Sequence, residues 1–125
     1  MKLIADDVRD VLLELEENLT LNGNINIYQY NTYPVFERIG KERYLYTLLQ
    51  LIDGGMLIGE VQHGGNEIVD ISVGQFTFEG HEFLDNIRPL TTWEKAKNEA
   101  KKIGGASISI LAKTAYTTAL ASIGL

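Results

Sequence analysis

The stretch Lys41–Ile58, KERYLYTLLQLIDGGMLI, constrains the fold more than any other part of the chain. Tyr44, Leu45, Leu48, Leu49 and Ile52 recur at helical spacing, which predicts one amphipathic helix with that stripe buried. Arg43, Tyr46, Thr47 and Gln50 fall on the other side, where they are expected to meet solvent or a partner. Gly54-Gly55 follows the last periodic residue, where a helix end calls for a left-handed conformation. A short apolar strand then begins at Met56. Helix, glycine pair and strand is the order in which the third helix of a winged-helix domain enters its wing. The expected fold is therefore an α+β, winged-helix-like domain.

The flanking segments fit that frame. Ile4, Val8, Val11, Leu12, Leu15 and Leu19 predict a first helix over Ile4–Leu19, with Asp6 and Asp7 near its positive end as caps or dipole partners. Glu14, Glu16 and Glu17 are expected on its solvated face. Asn22-Gly23-Asn24 is a turn, and Ile25–Tyr28 alternates as a short strand. Pro34 forbids a regular helix across residues 29–40. Tyr28, Tyr30, Tyr33 and Phe36 there either pack their rings on the core or form a binding surface.

Met56–Val61 and Ile68–Val73 predict a hairpin about His63-Gly64-Gly65-Asn66, with Gly74 as a bulge. Thr77 is expected to cap a helix over Phe78–Arg88 that Pro89 stops. Thr91-Thr92-Trp93-Glu94 reads as a capping box opening a helix to Ile103, which Gly104-Gly105 ends. Ser107 then caps a last helix rich in small residues. The expected division is a winged-helix-like domain over residues 1–90 and a helical extension over 91–125. The extension packs on that domain or mediates self-association as a homodimer through Ala112, Ala115 and Ala119.

An apolar share of 45% over 125 residues supports one core. Cysteine is absent, which excludes disulfides and thiolate chemistry and fits a reducing, cytoplasmic setting. MKLIADDVRD is too charged for a signal peptide, and the segment from Ile108 is too short and polar to span a bilayer. The net charge of −6 is unevenly spread. Residues 1–94 carry six basic against sixteen acidic side chains, a balance of −10, whereas residues 95–125 carry five lysines against Glu99, a balance of +4. An acidic body disfavours ordinary DNA binding, whose affinity comes largely from neutralising phosphates.

The segment FTFEGHEFLDNIRPLTTWEKAKNEAKKIGG, residues 76–105, resembles an uncharacterised family of small phage and prophage proteins. The shared pattern is a threonine-capped helix carrying Gly80-His81-Glu82-Phe83-Leu84-Asp85 and Ile87-Arg88, then a helix with Trp93, Lys95 and Lys97 closed by glycine. Leu48-Leu49 and Gly55-Met56-Leu57-Ile58 extend it upstream, whereas Pro89-Leu90 stands where acidic residues are expected. The resemblance implies a phage or prophage origin, hence the cytoplasm of a bacterial host, and a winged-helix-like fold, and it supplies no catalytic residues.

His81-Glu82-Phe83-Leu84-Asp85 lacks the second histidine that a zinc-protease helix needs. The glycine pairs lack the Gly-Lys-Ser/Thr of a phosphate loop, and no serine lies in a nucleophile elbow. No enzyme, cofactor or metal site is expected. Two function classes remain. One is an interaction module for a protein partner, a host protein among the candidates. The other is a DNA-binding regulator reading bases and phosphates through the same surface. That surface is Lys41, Arg43, Tyr46, Thr47 and Gln50 on the helix, with His63 and Asn66 on the wing.

Overall fold

A computed structural model describes residues 1–104 and 107–124. Among them the chain forms seven α-helices and one two-stranded antiparallel sheet, an α+β arrangement. The first helix, α1 (Ala5–Asn18), buries Val8, Val11, Leu12 and Leu15 completely. Its other face is not simply solvated as expected. Asp7 and Glu14 are both buried, because each meets a partner from a distant segment. Asp6 and Asp7 lie in the first turn, yet no side chain caps it.

Two short helices follow, α2 (Ile27–Tyr30) and α3 (Pro34–Ile39). The strand expected at Ile25–Tyr28 is therefore corrected. Ile25 makes an isolated antiparallel bridge to Val73, and the chain then turns into α2. Asn26 is the reason: its side chain accepts from the Tyr28 N–H at 2.9 Å, while Gln29 Oε1 accepts from the Asn26 N–H at 2.8 Å. That reciprocal cap satisfies helix-start amides that a strand would have left to a ladder. Pro34 sits in the first turn of α3, where its missing N–H costs nothing.

The long helix α4 (Lys41–Asp53) lies against α1 and α3. Its buried arc is Tyr44, Leu45, Thr47, Leu48 and Leu51. Leu49 and Ile52 are only partly buried, and Thr47 is inside rather than out. The arc is thus turned toward Thr47 and Leu51, while Ile52 lies on the hairpin side, beside Gly59. Tyr30 stacks on Tyr44 at 5.1 Å between ring centroids, and Phe36 tilts against Tyr44 at 5.2 Å. Tyr30 is core, Tyr33 and Phe36 pack against it half-buried, and Tyr28 stays 81% exposed.

Gly55, at φ 79°, supplies the left-handed turn out of α4 into β1 (Leu57–Gly64), which pairs with β2 (Glu67–Phe76). Ile58 faces Gln75 and Gly59 faces Val73, so Gly74 is an extra residue, the expected bulge. Val69 is the corresponding extra residue nearer the tip, between Asp70 opposite Gln62 and Ile68 opposite His63. Gly65 at φ 65° makes the turn.

Thr77 caps α5 (Phe78–Ile87) by accepting from the Gly80 N–H at 2.9 Å. The next helix, α6 (Leu90–Lys102), starts directly after Pro89 and has no side-chain cap. The expected Thr91–Glu94 box is thus not formed. Glu94 instead lies 3.2 Å from Lys97. Gly104 at φ 92° ends α6, and the Gly105 of the expected glycine pair lies outside the described residues. Ser107 caps α7 (Ile108–Ser122), accepting from the Ile110 N–H at 3.2 Å. Helix α7 packs on α6 and α5 and contributes Ile108, Leu111 and Ala115 to the same core as Leu12, Leu48 and Trp93. Among the described residues no helix is long and apolar enough to cross a membrane.

Candidate functional site

The outer side of α4 is where the sequence places a binding surface, and the structure divides that surface in two. Arg43 Nε donates to Asp7 Oδ2 at 3.0 Å and Nη2 donates to Oδ1 at 2.7 Å. The Asp7 side chain is 3% exposed and the Arg43 side chain 42%. This hydrogen-bonded carboxylate raises the Arg43 pKa further above its ordinary value. Two of the five guanidinium N–H donors are thereby committed to Asp7 and the charge is matched, which weakens the pull of Arg43 on a base or phosphate. The Thr47 hydroxyl donates to the Arg43 carbonyl at 2.8 Å, one turn back, and the residue is buried. Arg43 and Thr47 therefore serve the fold. Lys41 is exposed, Tyr46 and Gln50 are half-buried, and His63 and Asn66 sit exposed at the hairpin tip.

What α4 does present is the wall of two grooves. The first, of about 500 Å³, lies between α4 and the start of β2. Leu45, Tyr46, Leu49 and Ile68 line it, with Lys41, Glu42 and Glu67 also along it. The second, of about 950 Å³, runs between α4, the N-terminal residues, α6 and the start of α7. It brings Tyr46 and Gln50 together with Lys2, Lys97 and Lys101.

The placement of the α6 lysines follows from how α6 docks. Trp93, 1% exposed, donates its indole N–H to Asp6 Oδ1 at 2.9 Å, and Lys97 Nζ reaches the same oxygen at 2.8 Å. The Lys97 ammonium lies 5.5 Å from the centre of the Trp93 ring. The Lys97 hydrogen bond holds the Asp6 carboxyl below its ordinary pKa, opposed by partial burial and helped by the Trp93 bond. The same pair raises Lys97.

The other expected sites are dispersed. Ala115 is wholly buried within this chain, and Ala112 and Ala119 are half-buried on α7. His81 is exposed and stacks on Phe76 at 5.0 Å. Asp85 accepts from Arg88 at 3.0 Å. Among the described residues no three histidines, cysteines or carboxylates are grouped to hold a metal ion.

Sequence reasoning missed Glu14. Its Oε1 accepts from the Tyr44 hydroxyl at 3.0 Å and its Oε2 from the Val35 N–H at 2.9 Å, joining α1, α3 and α4. Burial first, then the Glu14 charge, pushes the Tyr44 hydroxyl far above its ordinary pKa, so it stays a donor. The signal was Tyr44 itself, since a tyrosine on a buried stripe needs an acceptor for its hydroxyl. Gly80 was read only as part of a motif. It lies against the Met56 carbonyl, where a Cβ would collide.

A model of one protein family, described as hypothetical protein (DUF2513), matches residues 2–107. The match ends at Ser107, the cap of α7. No curated protein and no solved structure matches the chain.

Proposed function

The chain belongs to the DUF2513 family, and we propose that it is a non-enzymatic, winged-helix-like interaction module of phage or prophage type that binds a protein partner. The order of elements supports the winged-helix reading. Helix α1, the Ile25–Val73 bridge, the α2–α3 pair, α4 and the β1–β2 hairpin follow one another as the helices, first strand and wing of such a domain do. The observation that carries the functional reading is the inward engagement of Arg43 and Thr47. It buries Thr47, ties Arg43 to a carboxylate, and leaves α4 beside an apolar groove formed by Leu45, Leu49 and Ile68. Such a groove suits an apolar anchor of a protein partner better than a phosphate backbone.

The alternative, a winged-helix DNA-binding regulator, draws support from Lys97 and Lys101 lying beside the Tyr46 and Gln50 side of α4. Two measurements separate the readings. A photo-crosslinking residue in place of Glu42, on the apolar groove, should give a discrete protein adduct in the source cell. That adduct should be lost with Leu49→Asp and absent from the same residue placed at Glu79. Random duplex DNA should bind weakly at low and moderate salt. Tight, salt-sensitive DNA binding that Lys41→Ala abolishes would establish the regulator and end the protein-partner reading.

A further inference from the structure

The groove between α4, α6 and α7 is a cationic trough in an acidic protein. Lys2, Lys97 and Lys101 line it and, among the described residues, no carboxylate does, although the chain carries a net charge of −6. Lys97 is matched by Asp6 at 2.8 Å and Glu94 at 3.2 Å. Lys2 and Lys101 are exposed and take no ion-pair partner among the described residues. Most of the remaining lining is apolar: Ala100 and Leu111 are buried, while Leu3, Tyr46 and Ile110 are half-covered. Helix α7 starts at this groove, with Ser107 on its lining, so its positive dipole end adds to the same potential.

We propose that this groove docks an acidic segment of the protein partner, with an apolar side chain seated between Lys2 and Lys101. This rests on the interaction-module reading and adds a second contact, which shares Tyr46 with the α4–hairpin groove. Charge complementarity selects the occupant. Two unmatched ammonium groups flanking an apolar strip fit aspartate or glutamate on either side of a leucine, isoleucine or aromatic residue. Two lysines release few counterions from a duplex, and the −10 balance over residues 1–94 repels its remaining phosphates.

The test selects a displayed random-peptide library on the full-length chain and measures the winning peptide by fluorescence anisotropy. The enriched sequences should pair acidic residues with a large apolar one. Lys2→Glu with Lys101→Glu should weaken the peptide by about tenfold or more. Lys95→Glu with Lys102→Glu changes the charge equally at exposed lysines outside the groove, and should cost less than about threefold. Tyr46→Ala should weaken binding without altering its salt dependence. Basic or neutral winners, no winners, or equal losses from the two lysine pairs would overturn the proposal. Random duplex DNA that displaces the peptide and depends on Lys2 and Lys101 would overturn it in favour of nucleic acid. Loss of this binding with the Glu42 adduct retained removes the second contact alone. Loss of the adduct as well removes the module reading with it.

Discussion

Arg43 and Asp7, on α4 and α1, are joined by two hydrogen bonds of 3.0 and 2.7 Å, with the carboxylate almost fully covered. The pair fastens together the two helices that would frame a recognition surface. Removing the arginine strands a buried carboxylate, so the two positions should be energetically coupled. Arg43→Ala should lower the urea midpoint, and should lower it less in an Asp7→Asn background than in the native one. Equal shifts in the two backgrounds would show that the pair is not coupled.

Glu14 satisfies two groups inside the protein, the Tyr44 hydroxyl and the Val35 amide. Glu14→Ala leaves both without a partner and should destabilise by about 2–4 kcal/mol, since each stranded buried group costs about 1–3 kcal/mol. Glu14→Gln keeps one acceptor and should cost about half as much. Chemical denaturation measures both. A Glu14→Ala variant of native stability would show that water replaces the carboxylate.

Gly80 lies inside α5, where exchange for alanine would ordinarily stabilise the helix by about 1 kcal/mol. Here a Cβ would collide with the Met56 carbonyl, which is backbone and cannot swing away. Gly80→Ala should therefore destabilise, by about 3 kcal/mol or more, with loss of near-ultraviolet dichroism from Trp93. The same exchange at exposed Gly64 meets only the Val69 side chain and should cost less.

Asp6 and Glu16 are both held below the ordinary carboxylate pKa, Asp6 first by Lys97 and Glu16 first by Arg88. The unfolded chain therefore takes up these protons before the folded one. The stability they contribute is full above the ordinary range, about pH 4–5, and is lost as pH falls through it toward the lower folded values. Both side chains are more than a third exposed, so the loss should stay under about 1 kcal/mol. Glu16→Gln should flatten the acid limb of a stability–pH curve measured between about pH 7 and pH 3. An unchanged limb would show that Glu16 has the same pKa folded and unfolded.

The sequence by itself determined the elements whose causes are local. The periodicity of Lys41–Asp53, the Gly55 turn and the Thr77 and Ser107 caps each depend on residues within about four positions of one another. The reciprocal Asn26–Gln29 cap was equally local, but the alternating Ile25-Asn26-Ile27-Tyr28 pattern concealed it. Tertiary structure alone decided which polar groups were available. Arg43 meets Asp7 across 36 positions, Tyr44 meets Glu14 across 30, and Trp93 meets Asp6 across 87. Helical spacing gives the face on which a side chain stands but not the partner brought up to it. A face that reads as solvated by periodicity, such as that of Glu14 or Thr47, becomes interior when a second element packs there. For the same reason the cationic groove was hidden: its lysines come from opposite ends of the chain, and the docking of Trp93 on Asp6 brings them to one side of α4.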